Sequence, residues 1–117
     1  MNDSRPRLDV ILPVHNEAET IEPVIRELLE ELAPHLDARL IVCEDGSVDG
    51  TLPILRRLAA SFPIHVITSE QRKGYARALI DGFRFAGAAE VLVLDADGQC
   101  DPRDFPSLWS SRHAADI

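Results

Sequence analysis

Val91-Leu92-Val93-Leu94-Asp95-Ala96-Asp97-Gly98-Gln99 is the stretch whose reading decides this chain. Four consecutive apolar residues read as a buried strand, and the strand runs out into two carboxylates spaced i, i+2. Ionised carboxylates at the mouth of a buried strand are costly unless something positive sits between them. A hard divalent cation that also bridges phosphate oxygens meets that need, because Mg²⁺ takes one or two carboxylates and leaves its other positions to water and substrate. The stretch therefore points to a site that handles a nucleotide diphosphate.

Upstream, the same kind of segment recurs. Leu8 to Val14 is an apolar run ended by Pro13 and Asn16, and reads as strand one. Thr20 is placed to cap a helix whose apolar positions, Ile21, Val24, Ile25, Leu28, Leu29 and Leu32, share one face; Pro23 falls in its tolerant first turn and Pro34 closes it. Arg39 to Glu44 reads as strand two, Thr51 to Ser61 as a second helix, and Pro63 to Thr68 as strand three. A third helix is expected from Lys73 or Gly74, burying Ala76, Leu79, Ile80 and Phe83, with Gly87 as its C-cap. Strand four is Val91 to Leu94, and Asp101-Pro102 opens a short helix over Asp104 to Arg112.

Strands this apolar, each followed by a helix, imply an α/β fold: a Rossmann-like three-layer sandwich with a mainly parallel sheet. Ligands in such sheets bind outside the carboxyl ends of the strands. The polar signals collect there: Asn16 and Glu17, Glu44 and Asp45, Asp95 and Asp97.

Bulk properties narrow the class. At 117 residues, 45% of them hydrophobic, the chain holds one domain with a real core. A formal charge of −8 argues against binding nucleic acid or an anionic membrane surface through non-specific electrostatics. Cys43 and Cys100 make no metal-ligand pattern, and Cys43 inside Leu40-Ile41-Val42-Cys43 reads as a small buried hydrophobe. Met1 to Leu8 lacks the apolar region of a signal peptide, and no apolar run approaches the ~20 residues of a membrane span. The expected setting is reduced and cytoplasmic, with peripheral membrane contact left open. The final residues, Ala114-Ala115-Asp116-Ile117, look like the start of a fifth strand, so the domain is expected to be the incomplete N-terminal part of something longer.

Each motif carries a plainer alternative. The turn Glu44-Asp45-Gly46-Ser47-Val48-Asp49-Gly50-Thr51 serves as a strand-to-helix turn, with Asp49 as the cap, while Asp45 at the strand end is the candidate ligand contact. It is neither a dinucleotide fingerprint nor a P-loop, because the required glycine spacing is absent. Arg72-Lys73-Gly74 precedes a helix N-terminus, where cations meet phosphate, though spacing alone favours a solvated basic loop. His15 either stacks on a base or lines a turn. Three rival readings of Asp95-Ala96-Asp97 fail. An EF-hand would need Gly and Glu where Cys100 and Pro106 stand. A phosphoaspartyl hydrolase would carry its acidic pair on strand one. A receiver domain would need acidic residues after strand one, where Val14-His15 stands.

Taken together, four motifs resemble the family 2 inverting glycosyltransferases of GT-A fold, most closely the dolichyl- or polyprenyl-phosphate sugar transferases. They are Ile11-Leu12-Pro13-Val14-His15-Asn16-Glu17, Val42-Cys43-Glu44-Asp45-Gly46-Ser47-Val48-Asp49-Gly50-Thr51, Lys73-Gly74-Tyr75-Ala76-Arg77-Ala78-Leu79 and Leu94-Asp95-Ala96-Asp97-Gly98-Gln99-Cys100-Asp101-Pro102. The resemblance implies that Pro13, His15 and Glu17 contact the nucleoside, that Asp45 binds its base, and that Lys73 is a candidate for approaching a phosphate. It implies that Asp95, Asp97 and Gln99 hold Mg²⁺ or Mn²⁺ on the diphosphate of a GDP- or UDP-sugar, with a polyprenyl phosphate as acceptor at the membrane surface. His15 stands where Tyr is common and Glu44 where Asp is common, which leaves the base open. The family's domain is about twice this long, and domains of up to about 250 residues are ordinary; its catalytic base is expected beyond Ile117. The alternative class is a non-catalytic nucleotide-sugar-binding module or inactive fragment.

Overall fold

The computed structural model describes residues 5–87 and 90–94. The elements run β1 (Arg7–Val14), α1 (Ile21–Leu32), β2 (Asp37–Asp45), α2 (Thr51–Ala59), β3 (Ile64–Ser69), α3 (Tyr75–Phe85) and β4 (Glu90–Val93). All the strands are parallel, in the order β3-β2-β1-β4. The expected alternation and parallel sheet are therefore present. The short helix expected over Asp104 to Arg112 and the strand expected from Ala114 lie outside the described residues, as do Asp95, Asp97 and Gln99.

Strand periodicity sorts the core into two layers. The even-numbered residues Leu8, Val10, Leu12 and Val14 of β1 and Leu40 and Val42 of β2 pack with Ile21, Ile25, Leu28 and Leu32 of α1 and Leu55 and Leu58 of α2. The odd-numbered Ile11, Ile41 and Cys43 meet Ala78 and Leu79 of α3 on the other face. Both faces of the sheet are thus covered, which explains why its central strands are continuously apolar over Val10 to Val14 and Leu40 to Cys43 rather than at alternate positions.

Helix α3 departs from expectation. Ala76 is exposed, Ile80 is 42% and Phe83 51% exposed, while Ala78 and Gly82 are buried. The reason is distance: a Cβ on Gly82 would lie 2.8 Å from Ile11 Cγ2 and 3.0 Å from Cys43 Sγ. A helix this close to the sheet turns its small residues inward and leaves its large ones out. Three caps also differ. Gly50, rather than Asp49, is the N-cap of α2 and makes no side-chain cap bond. Thr20 occupies the N-cap of α1 without a side-chain cap bond and instead donates its hydroxyl to Glu17 Oε2 at 3.2 Å. Ala86, rather than Gly87, is the C-cap of α3, and the Gly87 amide donates to Asp9 Oδ2 at 2.8 Å.

That last bond belongs to a latch at the amino end of the sheet. Asp9 is 1% exposed and accepts Arg39 Nε and Nη2 at 3.1 Å each. Arg39 in turn lies 5.0 Å above the Phe85 ring, on which His65 stacks at 3.8 Å. The latch ties the end of α3 to the sheet far from the strands' carboxyl ends.

Candidate functional site

The strand order reverses at β1: β2 and β3 lie to one side of it and β4 to the other. In open α/β sheets that switch point is where the carboxyl ends part and a crevice forms. The last pair of the β1–β4 ladder is Ile11↔Val93, and Leu94 N–H donates to the Ile11 carbonyl at 3.0 Å. The chain therefore leaves β4 at the crevice, directly before Asp95. Pro13 lies past that last pair, half-buried at the crevice end of β1.

Three loops follow β1, β2 and β3, and side chains knit them together. Asp45, 5% exposed at the end of β2, accepts the amides of Lys73 at 2.6 Å and Gly74 at 2.9 Å. Each carboxylate oxygen thus holds one N–H, and the loop before α3 is bound down onto β2. Beside it, Gly46 adopts φ +66°, and a Cβ there would lie 2.6 Å from Arg72 N. Only glycine allows both the left-handed turn and that close approach. Glu44, 3% exposed, accepts the Ser47 amide and the Thr68 hydroxyl, the latter at 2.6 Å.

The loop after β1 is fastened to the loop after β2 in the same manner. His15 Nδ1 lies 2.7 Å from the Asp45 carbonyl. Asn16 N–H donates to Ser47 Oγ at 3.0 Å, and Asn16 Oδ1 accepts the Val48 amide at 2.9 Å. Glu17 N–H donates to Thr51 Oγ1 at 2.9 Å, and its carbonyl accepts the amides of Thr20 and Ile21 at the start of α1. Asp49 accepts Thr51 N–H at 3.0 Å and Ala18 N–H at 3.3 Å, so it serves the first residue of α2 and the facing loop together. The Thr51 hydroxyl bond holds the Asp49 carboxyl below its ordinary range; burial opposes it, and the Thr51 and Ala18 amides add smaller lowering effects.

Of the residues singled out in the sequence, His15, Asp45 and Lys73 are brought into one hydrogen-bonded chain, whereas the Glu17 amide belongs to a separate set with Thr51 and Asp49. The Lys73 contribution is its backbone. Its ammonium pairs with Asp81 of α3 at 2.8 Å, and that pair, led by the hydrogen bond, depresses the Asp81 carboxyl. Asn16, Ser47 and Thr51 were not singled out in the sequence as site residues, although all lie within the quoted motifs. Their roles depend on contacts across 31 to 34 residues of chain, which spacing does not reveal. Loops at the carboxyl ends of a parallel sheet are thus bound to one another through the buried carboxylates of Glu44 and Asp45 and the half-buried imidazole of His15.

Comparisons with known proteins agree in kind. Residues 9–113 match the family model described as glycosyl transferase family 2. A dolichol-phosphate mannosyltransferase of Pyrococcus furiosus is 31% identical over 112 residues, 95% of this chain and 32% of that protein. An undecaprenyl-phosphate mannosyltransferase of Micrococcus luteus is 32% identical over 95% of this chain and 46% of its own length. The chain thus spans between a third and a half of these relatives. Among solved structures, the mannosyltransferase PcManGT of Pyrobaculum calidifontis, in complex with GDP-Man and Mn²⁺, is 33% identical with a TM-score of 0.76. That match covers 88% of this chain and 31% of the other. Glucosyl-3-phosphoglycerate synthase of Mycobacterium tuberculosis, solved with Mn²⁺, UDP and phosphoglyceric acid, is 28% identical with a TM-score of 0.69, over 93% of this chain and 39% of its own.

Proposed function

Because this chain belongs to glycosyl transferase family 2, we propose that it forms the donor-binding part of a metal-dependent, inverting sugar transferase. The observation that carries the reading is the bound-down rim at the carboxyl ends of β1, β2 and β3, beside the β1/β4 switch point. There Asp45 fixes the Lys73 and Gly74 amides and His15 is tied to the Asp45 carbonyl, while β4 ends at Val93, shortly before Asp95-Ala96-Asp97 in the sequence. The donor is a nucleotide sugar of the GDP or UDP type; the two solved relatives hold GDP-Man and UDP.

In this reading Pro13, His15 and Glu17 line the nucleoside side of the crevice. Asp45, with one lone pair left on each oxygen, accepts from the base. Asp95, Asp97 and Gln99 supply two carboxylates and one amide oxygen, a hard-oxygen set suited to Mg²⁺ or Mn²⁺. When bound, such a cation acts as a Lewis acid that neutralises charge on the departing nucleoside diphosphate. The acceptor is a polyprenyl phosphate, the class of lipid phosphate in the names of the curated relatives. Its phosphate oxygen is already ionised and needs little help from a base. No helix among the described residues is long and apolar enough to cross a membrane.

The test is acceptor-dependent release of nucleoside diphosphate from GDP-mannose or UDP-glucose, with Mn²⁺ and a short polyprenyl phosphate. Release that requires the lipid supports the transferase. Donor binding without release leaves a binding module, and neither binding nor release defeats the proposal.

A further inference from the structure

Asn16 is the only non-glycine among the described residues with a positive φ, at 51°. Residues other than glycine rarely adopt this region, and asparagine tolerates it best; such outliers gather where a site needs them. Here the unusual backbone brings three polar groups of Asn16 to three different partners. Its N–H reaches Ser47 Oγ at 3.0 Å, its Oδ1 takes the Val48 N–H at 2.9 Å, and its Nδ2 lies 3.2 Å from His15 Nε2.

Donor and acceptor rules then fix every proton in this chain of contacts. The Val48 amide can only donate, so the atom of Asn16 facing it must be Oδ1, and the amide nitrogen must face His15. That nitrogen can only donate, so His15 Nε2 must offer its lone pair. At the other side of the ring, the Asp45 carbonyl lies 2.7 Å from Nδ1 and can only accept, so Nδ1 must carry the hydrogen. The two sides demand the same state, the neutral Nδ1–H tautomer. Which nitrogen of a histidine is protonated is set by the bond that the other makes, and here both bonds agree.

We propose that Asn16 is a positioning residue that locks His15 as the neutral Nδ1–H imidazole and pins its plane at both nitrogens. With both nitrogens committed inside the protein, His15 is neither a general base nor a metal ligand. What remains to offer a ligand is the face and carbon edge of a neutral ring. That suits stacking against a nucleobase rather than pairing with a phosphate. This last step rests on the donor-site reading; the tautomer lock does not.

Two variants separate the side chain from the backbone. Asn16→Gly accepts the same φ and removes the donor to Nε2. Asn16→Asp keeps an acceptor for Val48 N–H and places a second acceptor against Nε2. The readout is long-range ¹⁵N–¹H correlation of the imidazole nitrogens of His15 in the 117-residue chain at pH 8. The wild-type ring should show a protonated Nδ1 and an unprotonated Nε2. Asn16→Gly should move it to a mixture with the Nε2–H form, and Asn16→Asp should protonate Nε2. A wild-type ring in the Nε2–H form, or an unchanged ring in Asn16→Gly, overturns the proposal.

Calorimetry with GDP and Mn²⁺ adds the consequence: a loss of about five- to tenfold in affinity for Asn16→Gly, the size expected when stacking on one base weakens. A tautomer change without that loss overturns the stacking role. If the wild-type chain binds no nucleotide while the tautomer still shifts, the donor-site reading fails and the lock stands.

Discussion

Asp45→Asn is the substitution whose consequences follow most directly from the geometry. The carboxylate is 5% exposed and holds two amides, Lys73 N–H at 2.6 Å and Gly74 N–H at 2.9 Å. An asparagine has the same shape but one acceptor. Whichever way its amide is turned, one backbone N–H meets an NH₂ group and must move away. The change removes one charge-assisted hydrogen bond, worth about 1.5–3 kcal/mol, and reduces the other to a neutral bond near 1 kcal/mol. Because the loop can reach water once it lifts, the displaced N–H regains a partner, and a net cost of about 2 kcal/mol is expected. The cost should appear locally. Amide hydrogen exchange at Lys73 and Gly74 should quicken by about thirtyfold, since 1.4 kcal/mol corresponds to a factor of ten. Amides of β1 at the sheet centre should change by no more than the fall in global stability. The same variant should weaken nucleotide binding, because the rim loosens even if the base never touches residue 45. Exchange at Gly74 within twofold of wild type would refute the claim that Asp45 holds this loop.

Three further outcomes test the fold that carries the site. Asp9→Asn at the latch leaves Arg39 without its bidentate partner; because Arg39 keeps 34% side-chain exposure and can hydrate, the loss should be about 2–3 kcal/mol, below the 3–5 of a fully buried pair. Urea unfolding followed by circular dichroism measures it, and a loss under 0.5 kcal/mol would count against the latch. Gly82→Ala improves helix propensity by about 1 kcal/mol but drives a methyl against Ile11 and Cys43, which are fully packed, at a cost of about 1–3. A net destabilisation of about 1 kcal/mol is expected, and a raised urea midpoint would show that α3 sits further from the sheet. Burial, aided by the Asp81 charge, pushes the Cys43 thiol from its ordinary 9.0 up to about 11. The folded state thus keeps a proton that the unfolded chain releases. The resulting stability is whole below pH 9 and is lost as pH rises through 11, so thermal midpoints should fall over that window and fall less in Cys43→Ala. An equal fall in both chains would assign the alkaline transition elsewhere.

The parallel α/β architecture was legible in the sequence because its signals are local. Apolar runs at Leu8 to Val14 and Leu40 to Cys43, the helical spacing from Ile21 to Leu32, and acidic turns at strand ends each announce themselves within a dozen residues. The inward face of α3 was not legible. The chain offers two apolar stripes there, the expected one through Ala76, Leu79, Ile80 and Phe83 and the observed one through Ala78, Leu79 and Gly82, which share only Leu79. Side-chain size favours the first, whereas the near approach of helix to sheet selects the second. The functional roles divide along the same line. Asp45 stands out as a carboxylate at a strand end, but its bonds to Lys73 and Gly74 span 28 and 29 residues and belong to the tertiary fold. Lys73 is conspicuous as a cation before a helix, yet its ammonium is taken by Asp81, eight residues further along α3. Asn16 and Thr51 look like turn and cap residues, and only the meeting of two loops gives them their partners.

The central claim, a nucleotide held through a metal at the β1/β4 switch point, is tested most directly by titrating GDP and UDP into the 117-residue chain by calorimetry, with and without Mn²⁺, in wild type and Asp97→Ala. The account predicts binding of one of the two nucleotides that requires Mn²⁺ and weakens at least tenfold in Asp97→Ala. Metal-independent binding by a folded sample, or equal affinity in the variant, would contradict it.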